Sequence, residues 1–173
     1  MSFRKASITM MLAGMALSAS AAEAVALQSW DTQIDRPNRF VVLRAFDNQA
    51  VLDRETGLVW DREPRDQLRT FSGTFNSCYA REIGGRLGWR PPTMPEITSL
   101  LDRTQAFPPL PLGHPFDISG LTRDVWTAST VAGTDPSQAY TQDMRNDGFL
   151  GSTTKDQELN YWCVRGGTGV EVE

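Results

Sequence analysis

Apolar residues in this 173-residue chain change their spacing along its length, and each change marks a different element. "FVVLRAF" (40–46) and "AVLDRETGLVWDRE" (50–63) are strand-like. In the second, Val51 and Leu52 precede "RETG", and Leu58, Val59 and Trp60 follow it. That pattern predicts a β-hairpin, with Gly57 free to take the positive φ that such a turn uses. In "TFSGTFNSCYAREIGG" (70–85), Phe71, Phe75, Cys78 and Ile83 recur at roughly helical spacing, with Tyr79 alongside. A helix is expected there, stopped by Gly84-Gly85. "RLGWRPP" reads as a rigid connector, because its prolines fix φ.

"TMPEITSLLDR" (93–103) starts a second helix. Thr93 and Glu96 have capping-box spacing, and Pro95 is tolerated in a first turn. Ile97, Leu100 and Leu101 form the apolar face. Residues 104–124 carry four prolines and no period, which predicts a long ordered loop. The remainder alternates short strands with turns: "VWTAST", "QAYTQDM", "GFLGSTT" and "NYWCVRG". A hairpin, two helices, a proline-rich loop and a β-meander make one α+β domain over residues 40–173. Residues 25–39 are polar and without period, and form a lead into it.

The first 24 residues read as a signal peptide. Arg4 and Lys5 precede the apolar "ASITMMLAGMAL", which is short for a bilayer span, and "SASAAEAVA" supplies small residues for cleavage after Ala21 or Ala24. A retained anchor helix is the alternative. No cysteine stands at the junction for lipid attachment. Cleavage after Ala24 would shift the formal charge from −4 to −5 by removing Arg4, Lys5 and Glu23. A mildly acidic chain with mixed signs lacks the basic footprint of a nucleic-acid or anionic-lipid partner. After residue 24 no apolar run is long enough for a membrane span. The expected location is therefore periplasmic or secreted.

Export makes the only two cysteines, Cys78 and Cys163, a candidate disulfide joining the first helix to the last strand. Two separate buried thiols remain an alternative. A closed zinc site would want four ligands, and His114 is the only histidine.

"VLDRETGLVWDRE", "GGRLGWRPPTMPEITSLLD", "LPLGHPF", "VWTAST" and "NYWCVRGG" resemble, in order, motifs of the bacterial DUF1566 or Lcl C-terminal domain family, from about residue 40 to 167. The chain departs from the family pattern at Phe71 and Thr74, where Trp and Ala are usual, and at Pro92, where Leu is usual. The resemblance implies a C-type-lectin-like fold, with two helices flanking small antiparallel β-sheets and one helix-to-terminal-strand disulfide. It also implies that Trp60, Trp89, Trp126 and Trp162 are core, leaving Trp30 outside that set. Arg90 and Arg165 are expected to bind framework carbonyls or carboxylates.

What the resemblance implies for function is an exported recognition module for a protein or glycan. By analogy its surface is the meander and its turns: Tyr140, Asp143, Arg145, Asn146, Asp147 and Phe149. The competing reading of "RNDG" is a turn whose Asn, Asp and Gly serve only backbone geometry. Calcium-dependent lectins of this fold carry E-P-N or Q-P-D and W-N-D tripeptides, and neither occurs here. No metal and no cofactor is expected. An enzyme resembling the sulfatase-modifying factors would need a redox-active cysteine pair, which a structural bridge would use up. The sequence shows no nucleophile elbow or phosphate loop. The expectation is a non-enzymatic module, with an envelope structural or accessory protein as the alternative.

Overall fold

The computed structural model describes residues 36–64, 66–133 and 136–166. Residues 1–24, expected to be a signal peptide, Trp30 and the acidic stretch 169–173 lie outside the described residues. A helical turn, α1 (Arg36–Arg39), runs directly into β1 (Phe40–Val42). The polar lead expected as far as residue 39 therefore ends in structure. Arg39 is buried and forks onto Asp53, with Nε to Oδ1 at 2.9 Å and Nη2 to Oδ2 at 2.8 Å.

The predicted hairpin is β2 (Ala50–Asp53) and β3 (Leu58–Asp61), with Val51 opposite Trp60. Asp53 closes its turn. Its carboxylate accepts the Glu55 N–H and the Thr56 hydroxyl, and its carbonyl accepts the N–H of Gly57, whose φ is +70°. A short carboxylate bonding backbone two residues on is what favours Asp at such a position.

The first helix, α2 (Phe71–Tyr79), is capped by the Thr70 hydroxyl, which accepts from the Gly73 N–H. It ends at Ala80, well before Gly84-Gly85, so these glycines are not its stop. Tyr79, Ala80 and Glu82 are exposed, and the next apolar residue, buried Ile83, reaches the core from the turn and not from the helix. The glycines instead shape a turn in which Ile83 and Arg86 exchange backbone bonds at 3.1 Å. The second helix, α3 (Met94–Thr98), starts as expected: Glu96 accepts the Thr93 N–H at 2.7 Å and closes the capping box. It is shorter than its apolar pattern. Leu100 and Leu101 follow it in tighter turns, bonded to Ile97 and Thr98, yet Ile97 and Leu100 are fully buried. Residues 104–124 hold no helix or strand, and their Leu110, Phe116 and Leu121 still reach the core.

The strands form two antiparallel sheets. One contains β4 (Val125–Thr130), β5 (Gln138–Gln142) and β6 (Leu150–Thr154) in chain order. The last strand, β7 (Val164–Arg165), does not complete this meander. It joins the other sheet, in the order β1-β2-β3-β7, pairing Val164 with Trp60. β7 thus stands at a sheet end. Its outer side is covered by Arg90, which exchanges backbone bonds with Val164 at 2.8 and 2.9 Å.

Both faces of the four-stranded sheet are buried. Val51, Leu58, Trp60 and Val164 face one apolar layer, with Ile97, Leu100, Phe116 and Trp162. Ala50, Val59 and Cys163 face the other, with Phe46, Cys78, Ile83 and Trp89. Alternate residues of a strand point to opposite faces, so continuous apolar runs such as "LVW" fit a sheet covered on both sides. Cys78 and Cys163 are bonded, with Cα atoms 5.7 Å apart, and tie α2 to the residue before β7. Trp60, Trp89, Trp126 and Trp162 are all fully buried. Three of the indoles donate to backbone carbonyls: Trp89 to Arg86, Trp126 to Arg69 and Trp162 to Asp61. Among the described residues no helix is long and apolar enough to cross a membrane.

Candidate functional site

The six residues predicted from the meander do not form one set. Tyr140 lies inside β5, half-buried, opposite Ser152 on β6, while the others follow the end of β5. Asp143 directs its carboxylate back onto its own turn. Oδ1 accepts the backbone N–H groups of Arg145 (2.9 Å) and Asn146 (3.2 Å), and Oδ2 accepts the Asn146 amide at 2.7 Å. Partial burial pushes the Asp143 carboxyl up, but these bonds and the Arg145 charge outweigh it and hold it below the usual carboxylate range. Asp147 accepts the Phe149 N–H at 3.2 Å. The polar side chains of Asp143, Asn146 and Asp147 are therefore engaged in shaping the turn.

Two further anchors fix this turn from inside the molecule. Gln142 is fully buried, and its amide donates to the carbonyls of Gly148 (2.8 Å) and Phe149 (3.2 Å). Gly148 has a φ of +73° and packs where a Cβ would lie 3.2 Å from both Leu101 and Pro109. The turn presents what remains: Phe149, 70% exposed, and the guanidinium of Arg145. Arg145 donates to the Thr122 carbonyl at 2.7 Å and lies 3.5 Å from Asp124 and 3.9 Å from Asp143. Burial and the nearby Asp143 raise the Asp124 carboxyl above its usual range, with Arg145 and Thr141 offsetting part of this.

The sequence did not single out Phe107. It is 76% exposed and has a φ of +59°, a region a bulky residue rarely enters. Its N–H donates to the Asn146 carbonyl at 3.1 Å, so the proline-rich loop and the meander turn meet there. The available signal was a large aromatic before Pro108 with no apolar period around it.

The remaining named residues sit in the framework. Arg90 forks onto Glu96 at 2.6 and 2.8 Å and donates to the carbonyls of Pro91 and Gly166, as expected of it. Arg165 departs from that expectation: among the described residues its guanidinium makes no such bond, and it pairs through its backbone opposite Val59. His114 is half-buried and stacks on Phe116, and burial lowers its pKa. Among the described residues no group of three or more His, Cys, Asp or Glu is arranged to hold a metal ion.

The sequence also did not single out Arg81. It pairs with the buried Asp61 at 2.6 Å and donates to the Glu63 carbonyl at 3.0 Å, lining a small polar cleft of about 60 Å³. A cleft of that size holds little more than water.

No curated protein matches the sequence. The model of the Lcl C-terminal domain matches residues 49–165, from the strand before the first hairpin turn through the last strand. That span takes in β2 to β7, α2, α3 and the Cys78–Cys163 bridge, leaving out only α1, β1 and the turn after it among the described elements, and by it the chain belongs to the Lcl C-terminal domain family.

Proposed function

We propose that this protein is an exported, non-enzymatic recognition module, built on a C-type-lectin-like framework, that meets a protein or glycan through its 143–149 turn. The observation that carries this reading is Phe149. It is held 70% exposed on a turn whose backbone is pinned by Asp143, Asp147 and buried Gln142. A large apolar side chain held in water on a rigid support is pre-organised for contact, because little entropy is lost when a partner covers it. Phe107, joined to the same turn through Asn146, and Arg145 supply the aromatic and guanidinium groups that interfaces favour. The disulfide supports an oxidising compartment, periplasmic or extracellular. Both cysteines are bridged, which leaves neither as a thiol for redox chemistry.

The internal use of Asp143 and Asn146 favours a second reading, an envelope accessory protein with no small ligand. Sugar recognition rests on free hydrogen-bonding groups, and these two have few left. Glycan arrays and envelope pull-downs with wild type and Phe149→Ala separate the two. Retention on defined sugars or on an envelope protein, lost in Phe149→Ala at unchanged melting temperature, supports recognition by the turn. Recovery in a protein complex indifferent to Phe149 supports the accessory role. No retention on either overturns the recognition reading.

A further inference from the structure

β6 is the outer strand of its sheet. Asp143 N–H meets the Phe149 carbonyl at 3.0 Å, and Lys155 N–H meets the Ser137 carbonyl at 2.8 Å. In the register that runs from Gln142–Leu150 to Gln138–Thr154, ladder bonds fall on alternate pairs. Phe149, Gly151, Thr153 and Lys155 are thus bonded to β5 and its flanks, and Leu150, Ser152 and Thr154 turn their N–H and C=O groups outward. Of these outward groups, only the Thr154 carbonyl has a partner among the described residues, the Gln157 N–H at 3.1 Å. The side chains of Leu150, Ser152 and Thr154 are exposed. "LGSTT" contains no charge, no proline and no register shift against β5, which are the features that normally protect a free edge.

We infer that a second copy of this chain occupies the edge, by antiparallel β6–β6 pairing about a twofold axis at Ser152. A twofold contact must be self-complementary, and this edge is. Ser152 faces itself, Leu150 faces Thr154, and each outward position gains reciprocal N–H···O=C bonds, the Thr154 carbonyl using its second lone pair. A slip in either direction leaves Leu150 or Thr154 without a partner. Beyond the strand ends, Lys155 falls opposite Phe149 and Asp156 opposite Gly148, so no like charges meet; the Lys155 ammonium stays over its own Phe71 ring and donates to the Pro136 carbonyl. The two three-stranded sheets become one continuous sheet. The pairing goes beyond the recognition reading and does not depend on it.

Sedimentation velocity of the oxidised protein from about 1 to 500 µM tests this, a range that brackets the weak affinity expected of a small interface. A monomer–dimer equilibrium is expected for wild type. Ser152→Pro, which removes the central outward donor and keeps the β5 bonds, is expected to be monomeric. Wild type that stays monomeric throughout, or a Ser152→Pro protein that dimerises equally, overturns the pairing. Cysteine substitution reads the register even if the proline variant does not fold. Facing residues of a bonded antiparallel pair have Cα atoms about 5.5 Å apart, within disulfide range. Oxidised Ser152→Cys is expected to crosslink to its second copy, and Thr154→Cys is not. Equal crosslinking of both, or of neither, overturns the register.

Discussion

Gly84 lies against the backbone of Phe46, so closely that a Cβ built on it would stand 2.3 Å from the Phe46 Cα. Its φ is +57°, and the obstructing atoms are main chain, which cannot swing aside. Gly84→Ala combines left-handed strain with overpacking and is expected to cost about 3 kcal/mol. Gly85 has a φ of +72° but open space around it, so Gly85→Ala is expected to cost about 1–2 kcal/mol. Denaturant titration of both variants checks the contrast; equal losses would mean that contact with Phe46 does not matter.

The neighbouring glycines show what the sequence could and could not disclose. Local chemistry was legible: the Asp53–Gly57 turn, the Thr93–Glu96 cap and the strand "VWTAST" form where the pattern places them. Decisions made by distant packing were not. Gly84-Gly85 has the composition of a helix stop, and only the approach of Phe46 reveals its task. "NYWCVRG" follows the meander strands in sequence, yet its last residues pair with Trp60, because Val164 and Cys163 must each enter a different apolar layer. The candidate site was legible as a turn. Its buried support, Gln142, and the neighbouring Phe107 were not, since nothing local ties either to Gly148 or Asn146.

The Cys78–Cys163 bridge closes a loop with a sequence separation of 85 residues. The chain-entropy model assigns such a loop roughly 4 to 5 kcal/mol. Reduction, or the double variant Cys78→Ala/Cys163→Ala, is expected to remove about 4 kcal/mol of unfolding free energy. Urea titrations with and without reductant measure it. A shift below about 1 kcal/mol would show that the bridge adds little beyond the two cores.

Glu96 gives a pH dependence with a definite sign. Burial pushes its carboxyl up, but the Arg90 fork and the Thr93 bonds outweigh burial and leave its pKa below the ordinary value. A depressed carboxylate stabilises the fold above its unfolded pKa, about 4.3 for glutamate, and that contribution is lost as pH falls through the folded value. Glu96→Gln keeps a capping acceptor but loses the charge, and is expected to be less stable than wild type by about 1–2 kcal/mol at pH 7. The gap is expected to narrow as pH drops below about 4. Melting curves of both proteins from neutral to acid pH test this, and a gap that widens in acid would reverse the assignment.

Support and contact can be separated in the 143–149 turn. Phe149→Ala removes an exposed ring and is expected to change stability by less than about 0.5 kcal/mol. Gln142→Ala leaves the carbonyls of Gly148 and Phe149 without their buried donor, and is expected to cost about 2 kcal/mol. If the turn is the contact surface, both variants lose partner binding and only the second loses stability. Calorimetric melting alongside the pull-down distinguishes them.

The placement of β7 makes the integrity of this fold depend on the stretch 162–164. Trp162 and Val164 enter one apolar layer, Cys163 enters the other, and Cys163 also supplies the sulfur that Cys78 requires. A product truncated before Trp162 would expose apolar surface on both sides of the hairpin together with an unpaired thiol. Three consecutive residues, 162–164, therefore close both apolar layers and the covalent bridge together.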